Sequence, residues 1–331
     1  MAMKRTDFTK YLLKLGYEVF WDNYDEIGSV WEQLFDEEDT DKPYVERMSM
    51  SGLDDLEEKG EDEPIKYDKM ADGWPILGKV RTFAKGIAFS MELYEDTQIE
   101  QLFSQAVASW SKAYTRTRDR FYARFFNEGA LLSGSDVFDN SIPGVKLDPT
   151  GKFIYDGKPF FADAGNPHPL RHSSDAIVNY APLPIDESVS LDVATQNLID
   201  VYQKMTIDNA KDEKGDEILV TPDTIVIPPA LKFRVNQILN SDYFPKLDST
   251  PSAINPLKGM LDVVVWPRLK DPTGWFLVER KRGLKALNRK DVTIDVWEDP
   301  ETKQVKASVV CRFGGYVEDV RYTFGCNIAQ S

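Results

Sequence analysis

Between Ile99 and Phe125 the apolar residues recur at steps of three and four: Ile99, Leu102, Phe103, Ala106, Val107, Trp110, Ala113, Tyr114, Thr117, Phe121 and Phe125. That spacing predicts a helix with one buried face. Thr97 and Glu100, in the text TQIE just after Asp96, form a capping box at its start, and Gly129 stops it. Roughly 31 residues at 1.5 Å each give a rod of ~46 Å. Such a rod is long for a globular helix and is suited to carrying a sheet.

Upstream, the period changes. YVERMSM and KVRTFAKGIAFSMEL read as the outward and return legs of a long excursion between Tyr44 and Leu93. The stretch between them, GLDDLEEKGEDEP (Gly52 to Pro64), holds seven carboxylates against one lysine. Pro64, Gly73 and Pro75 predict a broken return leg rather than one long regular strand. A two-stranded ribbon is marginal in water, so packing on a neighbouring subunit is expected. Before it, Phe8, Tyr11, Leu12 and Leu15, then Val30, Trp31, Leu34 and Phe35, recur in loose helical spacing. Ser29 is placed to cap VWEQLF, with Gln33 near the box offset. Such short segments read as an arm whose Trp21, Trp31 and Phe35 need another surface.

Residues 130–180 read as loop with short strands, and a helix follows with Leu191, Ala194, Leu198, Val201 and Met205 on its apolar face. ILVTPDTIVIPPALKFRVNQILNS predicts a strand ending at Pro228–Pro229 and then an amphipathic helix. GMLDVVVWPRL and GWFLVERK are apolar β-rich runs, as in a mixed sheet packed by helices. Beyond them, the turn EDPETKQ separates two alternating segments, predicting a hairpin and a returning strand. No internal repeat of 20 to 50 residues is visible.

The chain has 331 residues, 42% hydrophobic and 12% aromatic, enough for real cores. No apolar run approaches the ~20 residues of a membrane span. The first residues lack a signal-peptide pattern, so a cytosolic product is expected. Cys311 and Cys326 are the only cysteines and read as reduced, buried thiols. A net charge of −15 disfavours tight generic nucleic-acid binding. Residues 1–64 carry 19 Asp or Glu against 7 Lys or Arg, so most of the excess acidity sits in the first fifth of the chain. Lys112, Arg116, Arg118, Arg120 and Arg124 instead form a basic stripe interrupted by Asp119. It reads either as a solvated helix face or as a surface for another copy's acidic segment or for packaged nucleic acid.

Chemistry is hard to find. His168 and His172 are four apart, but Pro167 and Pro169 forbid the helix that would align them as metal ligands. Ser173 and Ser174 follow His172 without a triad's geometry. GKPF lacks the upstream glycine and GK[ST] ending of a phosphate loop. Gly314–Gly315 reads as a strand bulge or kink. Asp54, Asp55, Glu57 and Glu58 do not match a calcium loop and predict weak ion binding at most. No catalytic, cofactor-binding or metal-binding residue is expected, and the chain is not expected to be an enzyme.

The order of elements and several local texts resemble the major capsid proteins of tailed bacteriophages, built on the Hong Kong 97 fold, an α+β class. KGIAFSMELYEDTQIEQ (85–101) looks like the end of that family's extended loop entering its spine helix. YDGKPFFADAGNPHP (155–169) is similar to text in Mu-type head proteins. GDEILVTPDTIVIPPALKFRVNQILNS (215–241) looks like the entry to the axial domain, and WFLVERKRGL (275–284) with the terminal hairpin completes the match.

The resemblance implies an N-terminal arm (1–43) and an extended β-loop (44–95). Next come a spine helix with the first part of a peripheral domain (96–180) and an axial domain (181–284). A C-terminal hairpin and returning strand (285–331) close the chain. It implies self-assembly through hexamers and pentamers into an icosahedral shell enclosing double-stranded DNA without sequence-specific contacts. The location implied is the virion, after assembly in the bacterial cytoplasm. Portal and scaffolding proteins are expected partners and a decoration protein an allowed one. The chain lacks a long helical leader, so scaffolding is expected from a separate protein or a removed segment. The acidic tip (52–64) is expected to meet Arg280, Lys281, Arg282, Lys285, Arg289 or Lys290 of another copy. Lys66 and Lys69 lie where some members carry a cross-linking lysine. An encapsulin-like compartment and a tail or tube protein remain the alternatives, with a hydrolase built on His168 and His172 as the rival class.

Overall fold

The computed structural model describes residues 5–24, 29–50, 58–61, 64–65, 67, 72–90, 99–139, 151–242, 255–302 and 304–330. In chain order they form helix α1 (Arg5–Tyr24), strands β1 (Asp36–Asp39), β2 (Tyr44–Met50) and β3 (Asp72–Phe89), and helix α2 (Ile99–Asn127). Short strands β4 (His168–Pro169), β5 (Ala176–Ile177) and β6 (Tyr180–Ala181) precede helix α3 (Leu191–Gln203). Strand β7 (Thr224–Ile227), helix α4 (Lys232–Asn240), and strands β8 (Asp262–Val265) and β9 (Trp275–Val278) follow. The chain closes with β10 (Leu284–Glu298), β11 (Val305–Val317) and β12 (Thr323–Cys326).

The strands sort into two five-stranded sheets, ordered β1-β10-β11-β3-β2 and β6-β12-β9-β7-β8, with β4 and β5 forming a small pair. The predicted long helix is α2, although its capping residue Thr97 falls outside the described residues. The hairpin across EDPETKQ is β10–β11, and the returning strand is β12, which pairs with β9 and β6 in the second sheet.

The return leg of the excursion corrects one expectation. β3 continues through Gly73 and Pro75, pairing with β2 over 72–79 and with β11 over 79–89, and the irregularity expected there is a shift of register against β2 between Asp72 and Pro75 rather than a break. Pro75 is tolerated because it lies beyond the end of β11, where β3 has only one neighbour. The Trp74 N–H points at Ser49 Oγ of β2 (2.9 Å), which turns the proline nitrogen to the open side.

The first 43 residues correct a second. Their described part folds back on its own chain: Leu12, Phe20, Trp31, Leu34 and Phe35 are buried in its core. Trp31 stacks on Tyr122 of α2 at 4.4 Å, and β1 pairs in parallel with β10. The physical reason is the width of the apolar stripe on α2. One sheet covers part of it, and α1 and Trp31 cover the rest. Trp21 remains 42% exposed, and Trp74 lies against Tyr155.

Each sheet meets α2 differently. Phe313 of β11 faces Phe121 (5.5 Å) and stacks on Phe83 of β3 (4.4 Å). At the other end Phe126 meets Trp266 (5.5 Å) and Phe276 of β9 (4.9 Å). The second sheet is buried on both faces. Ile225, Ile227, Trp275 and Leu277 point to a core made with α3 and α4, while Val226, Phe276 and Val278 point towards α2. This explains why these strands read as continuous apolar runs.

The glycine pair in β11 is a point of close approach. Tyr122 Oη donates to the Gly314 carbonyl at 2.9 Å, and a Cβ at Gly314 would lie 2.2 Å from the Lys79 carbonyl oxygen. The register irregularity sits instead across the ladder in β10, between Asn288 and Thr293. The bulge expected at Gly314–Gly315 is therefore on the facing strand.

If Phe126 is the tie between α2 and the second sheet, Phe126→Ala lowers the unfolding free energy by ~3–5 kcal/mol. Replacing exposed Phe233 with Ser changes it by less than about 0.5 kcal/mol. Urea titration of both variants is the check, and equal midpoints would remove the tie.

Candidate assembly site

Between β2 and β3 the chain carries its acidic text. Most of residues 52–64, together with Lys66 and Lys69, lies outside the described residues, and so do the acidic tip and the cross-linking lysine expected there. Residues 58–61, 64, 65 and 67 are exposed, with Ile65 65% and Tyr67 92% accessible. Apolar side chains this open have no cover from their own chain.

The root of the excursion is held by the text that contains the histidines. The His172 Nε2–H donates to the Asp72 carbonyl at 2.7 Å. Arg171 donates to the Gly73 carbonyl and lies over the Trp74 ring at 5.8 Å. His168 is buried and faces a different way: its Nδ1 is 2.6 Å from Asp156 Oδ2 and its Nε2 is 3.2 Å from the Phe160 carbonyl. The two imidazoles thus serve separate elements, and no group of three or more His, Cys, Asp or Glu side chains among the described residues could hold a metal ion. "DG…HP" is a structural clasp in which a carboxylate and an imidazole close the 156–168 loop.

The basic residues expected to receive an acidic segment are mostly engaged. Arg280 pairs with Asp262 (2.8 Å) and Arg282 with Glu279 (2.6 Å). Lys285 bridges Asp36 (2.6 Å) and Glu318 (3.4 Å), tying β10 to β1. Lys281, Arg289 and Lys290 make no ion pair among the described residues. The α2 stripe also divides. Lys112, Arg116 and Arg120 are exposed, but Arg118 is buried over the Trp31 ring (4.4 Å), bonded to Glu37 (2.8 Å) and Tyr114 (3.1 Å). Burial works against its charge; the oxygens of Tyr114 and Tyr122 and the Glu37 carboxylate hold the guanidinium charged. Asp119, which seemed to interrupt the stripe, accepts from Trp266 Nε1 (2.9 Å) and Arg268 Nε (3.2 Å) beyond β8.

Two polar clusters carried no sequence signal beyond the charges themselves. Buried Arg321 donates to Glu213 (2.8 Å), Asp319 (3.0 Å) and the Lys211 carbonyl. Arg124 bonds both Glu128 (2.9 Å) and Asp136, and the latter also meets Arg81 of β3 (3.3 Å). Only the four-residue step from Arg124 to Glu128 was open to pattern reading. Both cysteines are buried in separate sheets. Burial pushes the Cys311 thiol up to about 11 and also raises that of Cys326, leaving both poor nucleophiles.

A family model described as phage capsid protein matches residues 75–326, from β3 through β12. The chain belongs to that family. Its role is structural, that of a major capsid protein. Solved capsids share the fold of this capsid protein. The capsid of the cyanophage P-SCSP1u matches with a TM-score of 0.57 and 10% identity, covering 92% of this chain and 89% of that one. A structure from Mycobacterium phage Patience matches at 0.54 and 13% identity, covering 98% and 89%. The capsid of a native GTA particle matches at 0.53 and 13%, covering 92% and 91%. No curated protein matches the chain.

In this capsid protein His168→Ala takes the imidazole from the buried Asp156 carboxylate, leaving it the Lys158 N–H (3.1 Å), and lowers stability by about 1–3 kcal/mol. His172→Ala, at an exposed site, changes it by less than about 0.5 kcal/mol. Equal denaturation midpoints for the two variants would contradict the separate roles.

The Arg124 cluster has a pH signature. Burial pushes the Glu128 carboxyl up, but bonds from Arg124 and Ser135 outweigh it and hold it below its usual value; Arg124 lowers Asp136 as well. Depressed folded-state values mean the stabilisation is complete above the ordinary carboxylate range of about 4 and is lost as pH falls through the folded values. Arg124→Gln therefore flattens the fall of the urea midpoint between about pH 6 and about pH 3. An unchanged slope would show that the cluster does not act.

Proposed function

We propose that this capsid protein is a Hong Kong 97-like, Mu-type major head subunit. In this reading α2 is the spine helix, the first sheet with α2 forms the peripheral domain, and the second sheet with α3 and α4 is the axial domain. The β2–β3 excursion is the extended loop that crosses a neighbouring subunit. Copies assemble through hexamers and pentamers into an icosahedral shell around double-stranded DNA, in the host cytoplasm, together with portal and scaffolding proteins. The observation that carries the reading is the family match, which runs from β3 to β12 and takes in α2, three strands of the first sheet and the whole of the second.

The exposed loop supports it. Surface ion pairs contribute only about 0–1 kcal/mol each, so the acidic tip sets register and deters wrong pairings. Apolar burial must supply most of the association energy. With Trp31 and Phe35 already inside the monomer, Ile65, Tyr67 and Trp21 are among the exposed apolar side chains able to provide it.

Electron microscopy of the purified protein, alone and with its scaffolding protein, is expected to show closed shells or their hexamer and pentamer pieces. A discrete monomer or dimer under every condition would overturn the reading. Deleting residues 53–63 leaves a soluble protomer that assembles poorly; normal shells from that variant would remove the loop from assembly.

A further inference from the structure

A groove of about 170 Å³ runs between α2 and the first sheet, lined by Phe83, Trp110, Ala113, Tyr114, Val309 and Cys311. Its walls are chiefly apolar, and its size is that of a cavity able to take one aromatic ring. Lys85 stands on its β3 side, and exposed Arg116 and Arg120 follow on α2 next to Ala113 and Thr117. None of these three cations makes an ion pair among the described residues.

We propose that the groove receives the Ile65–Tyr67 segment of a second copy, with Tyr67 entering between Trp110 and Phe83. The acidic run of that copy then meets Lys85, Arg116 and Arg120. The proposal rests on the capsid reading and names the surface that the loop uses. Two observations select this occupant. Tyr67 is 92% exposed and lies four residues after Glu63, the last of the seven carboxylates, so one segment carries both the ring for the groove and the charge for its rim.

The second observation is reach. From Asp72 to Phe83 the strand advances 11 residues at ~3.3 Å, or about 36 Å. Five residues separate Tyr67 from Asp72, and at ~3.5 Å each they span at most about 18 Å. A protomer's own Tyr67 falls well short of its own groove, so only another copy's loop can fill it.

The test is a disulfide between subunits. Chains carrying Tyr67→Cys are co-assembled with chains carrying Ala113→Cys, both in a Cys311→Ser background because the native thiol lines the same groove, and the shells are oxidised and run on non-reducing gels. A covalent dimer formed in the mixture, and absent when either variant is assembled alone, is the expected result. Shells of normal form without that dimer would overturn the groove assignment while leaving the capsid reading intact. Failure of the unmodified chain to form shells would overturn the reading beneath it.

Because a cysteine can itself disturb packing, Arg116→Glu with Arg120→Glu provides a second measurement. Loss of shell yield, with the protomer's melting temperature unchanged, is expected. A wild-type yield would count against the rim. If the same variant instead keeps its yield and loses binding to a short DNA duplex, the rim serves nucleic acid and the proposal fails.

Discussion

The two sheets are separate ladders, so their relative placement depends on one line of aromatic contacts along α2. Phe121 packs on Phe313 at one end of that line and Phe126 on Phe276 at the other. Aromatic pairs add roughly 0.5–1.5 kcal/mol each beyond the area they bury, and they have preferred angles. A seam of edge-to-face rings therefore fixes orientation as well as distance. Everything else that joins the sheets is arranged around it. Asn127 donates to the Arg268 carbonyl (3.0 Å) and accepts from the Lys270 N–H (2.7 Å), fastening the last turn of the helix to the loop between β8 and β9.

Buried charge is placed where chain segments distant in sequence must meet. Arg118 joins α2 to Glu37 of the first strand, and Arg321 joins the C-terminal segment to the loop around Glu213. Breaking one partner of such a pair is far more costly than the pair's net contribution to stability. These arginines therefore act less as sources of stability than as penalties on misplacement. That is useful in a chain whose first strand, β1, pairs with β10 from the opposite end of the sequence.

The sequence displayed α2 through its three- and four-residue spacing and the terminal hairpin through alternation around EDPETKQ. The second sheet was visible as apolar runs because both its faces are buried. Reading failed where a local rule met tertiary context. Pro75 looks like a strand breaker until one sees that β3 has a single neighbour there. Trp31 and Phe35 looked like side chains in search of a partner because no periodicity reveals that α2 has a second face for them. Arg118 was indistinguishable from its exposed neighbours by spacing alone, since burial depends on what α1 and β1 cover. The exposed loop was legible as a charge run, whereas the groove between α2 and β3 arises from two elements whose facing residues are not linked by any sequence pattern.

The irregular stretch of β10 has a mechanical consequence. On its inner side the hairpin is anchored by the Lys285 ion pairs and by Tyr122 on Gly314. On its outer side six residues of each strand, 293–298 and 305–310, extend past the bulge, a length of roughly 20 Å. β11 stays paired with β3 there and Tyr17 of α1 bonds Ile294, so a bend of about 10° at the bulge carries these neighbours along and displaces the Asp299 turn by about 3.5 Å. A joint of that kind lets identical chains sit at slightly different inclinations to their neighbours while the aromatic seam behind it stays unstrained.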